Sequence, residues 1–147
     1  MRMNSIRPLL ITLFSALLTA CAGSPPNNLG YSDNAFLPCP SSPNCVSSFA
    51  KDDHYIKAIL FSGEPTVAHQ TLLNYFNEQE HILIKQSNFP YLYAEFKSNL
   101  LGFVDDAEFY FQSDKIQVRS ASRLGYSDLG VNRERIEQIR RIFNPSK

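Results

Sequence analysis

Four arginines, Arg119, Arg123, Arg133 and Arg135, stand with Asp128 and Glu134 in the stretch RSASRLGYSDLGVNRERI, residues 119–136. Guanidinium forks match carboxylates and phosphates with paired hydrogen bonds. The stretch therefore has the chemistry of an anion site, and equally that of a salt-bridge ladder. If GFVDDAEFYFQ (102–112) and KIQVRSASR (115–123) form a hairpin turning at Ser113–Asp114, Glu108 falls opposite Arg119. Asp106 then lies diagonal to Arg119 and Arg123. Opposite charges so placed stabilise a sheet by ~0.2–1 kcal/mol per pair. In the anion reading, Arg119 and Arg123 work with the start of the helix that follows loop 124–131, whose free N–H groups favour negative charge.

Asp105 poses a separate question. The same register puts it on the apolar face with Phe103 and Ala107, opposite Ser122. A carboxylate there must be paired, hydrogen-bonded or near the sheet end. Ser120, Ser122 or a loop N–H is expected to satisfy it; the alternative is a polar group lining a ligand pocket. The candidate binding residues are thus Asp105, Arg119, Arg123, Tyr126 and Asp128. No G-x-S-x-G, Walker loop or Gly-rich dinucleotide fingerprint occurs. His54, His69 and His81 lack H-E-x-x-H spacing and are expected at the surface or at strand edges. No metal, no cofactor and no catalytic set is expected.

Eleven Phe and seven Tyr with no Trp make the chain rich in aromatics. Tyr91 and Tyr93 share one strand face, with Tyr110 near them. Such a face can bind a small molecule or a partner; ordinary packing is the plainer account.

These residues need elements to position them. YIKAILF (55–61) reads as a strand. Pro65 fits the first turn of a helix, where its missing N–H costs nothing. Ala68, Leu72, Tyr75 and Phe76 follow at helical spacing over 65–79. HILIKQS (81–87) and PYLYAEFKS (90–98) read as a hairpin over Asn88 and Phe89, ahead of the hairpin already described. Alternation puts Phe103, Ala107, Phe109, Phe111, Ile116 and Val118 on one face of that second hairpin, and Asp106, Glu108, Tyr110, Gln117, Arg119 and Arg123 on the other. A last helix is expected to start near Asn132, a good N-cap residue, and to bury Ile136, Ile139, Ile142 and Phe143. The order is β-α-β-β-β-β-α. It predicts an α+β domain: a curved antiparallel sheet of about five strands with two helices packed on one face.

The chain opens MRMNSIRPLLITLFSALLTAC. Arg2 and Arg7 give a positive start, and Leu9–Leu18 give an apolar core about half the ~20 residues that span a bilayer. Residues 1–20 read as a signal peptide. Leu18, Thr19, Ala20 and Cys21 resemble the bacterial lipobox, so Cys21 is expected to carry a diacylglycerol and an added acyl chain such as palmitate. Buried acyl CH2 groups at ~0.8 kcal/mol each would anchor it to the membrane. Ala22 follows the cysteine, with no Asp to retain the protein at the inner membrane. By resemblance to enterobacterial sorting, the expected place is the bacterial outer membrane, with the domain facing the periplasm. Residues 21–36, rich in Gly, Ser, Pro and Asn, read as a flexible tether reaching on the order of 20 Å, and 37–147 as a single domain. Without residues 1–20, twelve basic residues face fourteen acidic ones, a net of −2. That is no footprint for nucleic acid. Cys39 and Cys45, in LPCPSSPNCVSS, are expected to form a disulfide in that oxidising compartment.

CPSSPNCVSS, GFVDDAEF and RSASRLGYSDLGVNRERI, in this order and spacing, resemble the family catalogued as domain of unknown function 1499. The resemblance runs from about Cys39 to Ile142. It implies an exported or membrane-associated bacterial protein, often a lipoprotein, and brings no established activity. Its motif positions here are Cys39, Cys45, Asp105, Asp106, Arg119, Ser120, Ser122, Arg123, Tyr126, Asp128 and Asn132. The reading that follows is a lipid-anchored envelope protein whose periplasmic domain binds a small or amphipathic ligand, or an envelope partner. The alternative is an envelope hydrolase or transferase using Asp105 or Asp128 as base, with Arg119 or Arg123 for an oxyanion or phosphate.

Overall fold

Period-two alternation builds the centre of the molecule. The structure, a computed structural model, describes residues 23–99 and 101–144. The signal peptide and the lipidated Cys21 expected above lie outside them. In chain order the elements are β1 (Tyr31–Ser32), β2 (Ala35–Phe36), β3 (Cys45–Ser47), β4 (Ile59–Leu60), α1 (Pro65–Asn77), β5 (Ile82–Gln86), β6 (Tyr91–Lys97), β7 (Val104–Phe111), β8 (Lys115–Ser122) and α2 (Val131–Phe143). The main sheet is antiparallel, ordered β3-β8-β7-β6-β5, with β4 pairing a separate part of β8. β1 and β2 form a small hairpin of their own.

The central register is the one the sequence predicts. Phe111 pairs with Ile116 around Ser113–Asp114, Glu108 with Arg119 and Asp105 with Ser122. A side-chain period of two then sorts whole strands. Ala107, Phe109, Phe111, Ile116 and Val118 join Leu92, Ala94 and Phe96 on one buried face. Both helices pack on that face. α1 contributes Ala68, Leu72 and Phe76, and α2 contributes Ile136 and Ile139. Phe76 meets the rings of Phe96 and Phe109 at centroid distances of 5.4 and 5.6 Å. Phe103 lies outside β7 and is 42% exposed rather than buried with this set.

The expected strand over 55–61 is reduced to Ile59–Leu60. Side chains of α2 and of its C-cap Asn144 hold carbonyls along this stretch and just before it. Arg133 donates to the carbonyls of Asp53 and Tyr55, each at 2.8 Å. Arg140 donates to those of Lys57 and Ala58 at 2.7 and 2.8 Å, and Asn144 to that of Leu60 at 2.8 Å. Every backbone polar group needs a partner, and the carbonyls of Tyr55, Lys57 and Ala58 find theirs without a ladder. β3 fills the sheet edge beside the far part of β8 instead.

The stretch read as a flexible tether makes specific contacts at Gly30, Tyr31 and Phe36. Gly30 N–H donates to Glu108 Oε1 at 2.6 Å. Tyr31 stacks on Tyr110 with centroids 3.6 Å apart, and its ring also meets Phe36 and Phe49. Thus the second face of the sheet, which carries Tyr91, Tyr93 and Tyr110, is covered by the chain itself. A stacked aromatic pair and a charge-assisted hydrogen bond offset the entropy of ordering a Gly- and Pro-rich segment.

Candidate functional site

Two polar clusters come from the motif, on opposite faces of the sheet. The first is beneath the N-terminal segment. β7 points Asp106 and Glu108 to this face, and β8 points Arg119 and Arg123. Arg119 Nη1 donates to Glu108 Oε2 at 3.1 Å. Arg123 Nε and Nη2 donate to the two Asp106 oxygens at 2.8 and 2.7 Å, and Nη2 reaches Glu95 at 2.5 Å and the Tyr93 hydroxyl at 3.2 Å. Tyr91 and Tyr93 donate to Glu108 and Asp106 at 2.8 and 2.6 Å. The ladder expected from the register is present, extended by Glu95 from β6. Burial pushes the Glu108 carboxyl above its ordinary range, outweighing the Gly30 N–H and Arg119 that pull it down. Burial and the neighbouring carboxylates likewise raise Tyr91 and Tyr93. The Asp106 carboxylate holds the Arg123 guanidinium firmly charged. Arg119 Nε is buried with no hydrogen-bond partner.

The second cluster lies on the helix face. Asp105 is buried, and its partner is Arg135 of α2, whose Nη2 donates to Oδ2 at 2.5 Å. The expectation that a serine or loop N–H would satisfy Asp105 is corrected here. Ser120 instead donates to Asn132 Oδ1 at 2.6 Å, and Ser122 accepts from Asn132 Nδ2 at 2.9 Å. Arg135 Nη1 reaches Asn132 Oδ1 at 2.6 Å and Ser120 Oγ at 3.0 Å, and its guanidinium carbon lies 4.6 Å from the centroid of the Phe96 ring. Asn132 is fully buried and also donates to the carbonyl of Asn44 at 3.2 Å. It ties β3, β8 and α2 together. A signal for this was in the sequence: Asn132, Arg135, Ile136 and Ile139 share one helical stripe by their spacing.

Asn132 is therefore not the N-cap. That position is Gly130, at φ 85°, a left-handed conformation that glycine adopts without strain. Asp128 does the capping. Its Oδ1 accepts from Gly130 N–H at 3.0 Å, and its Oδ2 from Asn132 N–H and Nδ2, both at 2.8 Å. Burial pushes Asp128 up, but these donors together hold it below the usual carboxylate range. Tyr126, 76% exposed, lines a surface hollow together with Asp128, Arg133 and His54.

His69 departs from the expectation of a surface or edge position, because it is buried. Its ring stands edge-on to Phe111 and Phe89 at 5.0 and 5.8 Å, Nε2 has no partner, and burial lowers its pKa from 6.5. His54 Nδ1 meets the carbonyl of Cys45 at 2.9 Å. Cys39 and Cys45 are joined as expected. The disulfide fixes the loop whose Asn44 reaches the Gly125 carbonyl at 2.6 Å. Among the described residues, no three His, Cys, Asp or Glu side chains gather as metal ligands.

The five candidate residues thus do not converge. Arg119 and Arg123 face the N-terminal segment, Asp105 faces the helices, and Asp128, which caps α2, shares a surface hollow with Tyr126. What the fold does offer is a cleft of about 250 Å³ between the end of α1, the end of β6 and the first turns of α2. Asp105 and Arg135 line its polar side. Tyr75, Ile82, Phe96 and Ile139 line its apolar side, and His81, Lys97 and Glu134 stand among its polar residues. Such a cleft can grip a molecule with an apolar part and a hydrogen-bonding head.

No curated protein and no solved structure matches this chain. A family model does match, over residues 36–143. That span runs from Phe36, beside the Tyr31 ring, to Phe143 at the end of α2, and includes the arginines and carboxylates of both polar clusters. The chain belongs to the family described as Protein of unknown function (DUF1499).

Proposed function

We propose that this is an exported, lipid-anchored envelope protein that works by binding, and that the cleft beside Asp105 and Arg135 takes one end of a small amphipathic ligand. One observation carries the reading. A buried ion pair lies beside an aromatic and aliphatic wall in an open cleft, while the other motif charges are engaged in holding the fold. The cleft is smaller than the ~300–1,000 Å³ usual for drug-sized ligands, so it suits a head group or a short chain segment. Asp105, Glu134 and the Arg135 edge favour a head that both donates and accepts hydrogen bonds. Tyr75, Ile82 and Phe96 suit the apolar part.

The lipid anchor rests on the lipobox at Leu18–Cys21 and the oxidised Cys39–Cys45 pair. The outer membrane, with the domain toward the periplasm, is the proposed location. The test is native mass spectrometry of protein taken from cell membranes, with lysophosphatidylethanolamine as the added probe. Added mass that disappears in Gln138→Trp, which places a large ring on an exposed residue of the cleft, supports the reading. An unliganded protein with no affinity for the probe refutes it.

A hydrolase or transferase is the second reading, because Asp105, Arg135 and His81 share the cleft. Asp128 is committed to the helix cap, and Arg119 is paired with Glu108 as Arg123 is with Asp106 and Glu95. The base would therefore be Asp105. Turnover of acyl or phosphate esters that is lost in Asp105→Asn, with the fold intact, would favour catalysis over binding.

A further inference from the structure

The end of the domain where the described chain begins carries an unusual surface. Gly23 lies against the side chains of Arg123 and Leu124. Two residues of extended chain span at most about 7 Å, so whatever is attached at Cys21 leaves the domain from this end. The β6–β7 and β8–α2 loops leave the sheet here side by side. Arg123 N–H bonds the Val104 carbonyl at 3.1 Å, which sets Phe103 beside Leu124, and Ser98 N–H bonds the Phe103 carbonyl at 2.8 Å. Leu101, Phe103, Leu124, Tyr126 and Leu129 are all exposed large apolar side chains in these two loops.

Leu129 is the most telling. It is 94% exposed, and its φ of 55° is left-handed, a conformation unfavourable for a residue with a Cβ. The fold gains nothing from a leucine there. Glycine would fit the backbone better and asparagine would suit water better. An exposed apolar residue in a strained position is a reason to look for a function.

We propose that these two loops are a membrane-contact face. Leu101, Phe103, Leu124, Tyr126 and Leu129 would enter the headgroup region of the same leaflet that holds the acyl chains on Cys21. Apolar and aromatic tips are the side chains that favour this layer. The loops carry few free charges, since Arg123 is paired and Asp128 is a cap, so the contact rests on apolar insertion rather than on attraction to anionic lipid. The orientation also turns the Val131 edge of the Asp105–Arg135 cleft toward the bilayer, where an amphipathic ligand would arrive. This inference rests on the lipid-anchor reading, and its test separates the two.

The chain has no tryptophan and three cysteines, of which Cys39 and Cys45 are joined. Cys21 of the chain from residue 21 to 147 can therefore be coupled to a maleimide lipid in phosphatidylethanolamine–phosphatidylglycerol vesicles, whether or not cells acylate it. Single tryptophans are placed by Phe103→Trp, Leu129→Trp and, at the opposite end of the domain, Val67→Trp (63% exposed). The expected result is a blue shift, and loss of emission with brominated acyl chains, at 103 and 129 but not at 67. Equal emission in brominated and plain vesicles at 103 and 129 overturns the proposal, and so does equal quenching at all three positions. A second variant guards against misfolding. Leu129→Gly, which suits the backbone, should keep or raise the unfolding midpoint. Added to the Phe103→Trp chain, it should weaken the quenching at position 103; undiminished quenching counts against insertion of Leu129. Failure of the anchor reading would show itself separately, as protein from cells with no acyl mass on Cys21.

Discussion

Replacing Arg123 by alanine tests the reading that the motif holds the fold. The Arg123 side chain is 5% exposed and spans two carboxylates, Asp106 at 2% and Glu95 at 14%. It supplies four hydrogen bonds, three of them to charged oxygens. Alanine leaves Asp106 buried with only the Tyr93 hydroxyl and sets Glu95 near it without a shared cation. Removing one partner of a buried pair costs ~3–5 kcal/mol, because the other charge stays desolvated. With a urea slope of ~1–3 kcal/mol/M for a small domain, the midpoint should fall by about 2 M. The assay is urea unfolding of residues 22–147 with the disulfide intact, followed by far-UV circular dichroism. Arg123→Met with Asp106→Leu should recover a good part of the loss, since an apolar pair of similar volume can replace a buried ion pair. A loss below about 1 kcal/mol in Arg123→Ala, the range of an exposed pair, would refute the reasoning. The arginine would then be held ready for something outside the fold.

Three further outcomes follow from the same contacts. Asn132→Ala removes the shared partner of Ser120, Ser122, Asp128, Arg135 and the Asn44 carbonyl; with two or more buried groups orphaned, it should cost about 3 kcal/mol or more by denaturant titration. His69→Leu removes a buried nitrogen that has no partner and should leave stability at pH 7 unchanged or raise it by up to about 1 kcal/mol. The folded pKa of His69 lies below 6.5, so its contribution is complete above 6.5 and is lost as pH falls toward the folded value; midpoints measured between pH 7 and 5 should fall less in the leucine variant than in the parent. Cys39→Ser with Cys45→Ser opens a loop with a sequence separation of 6, and the chain-entropy model gives about 2 kcal/mol for so short a closure, readable as a lower thermal midpoint without loss of the fold.

Much of the sheet was legible because its period is short and its turn is tight. Once Ser113–Asp114 closes the β7–β8 hairpin, alternation alone places Glu108 opposite Arg119 and Asp105 among the phenylalanines. The apolar stripes of α1 and α2 were legible for the same reason, since each is a local repeat. The partner of Asp105 was not. Arg135 lies thirty residues away, and only the packing of α2 on β7 brings it there. The strand expected over 55–61 failed because arginines of α2 compete for its carbonyls, which no local pattern encodes. The segment 23–36 has the composition of a linker, and composition reports how much apolar surface a segment can bury by itself. Tyr31 stacks on Tyr110 and Phe36 packs against Phe49, residues that the sequence does not place beside them.

By itself, then, the sequence determined the helices and the hairpins, the ladder facing one side of the sheet and the cysteine pair, because each is written within a few neighbouring residues. Only the tertiary structure decided that this ladder lies beneath the chain's own N-terminal segment. It also decided that Asp128 caps a helix and that Asp105 lines a cleft with Arg135. Those outcomes depend on which surfaces meet when separate elements bury their apolar faces together, and that is a property of the whole chain.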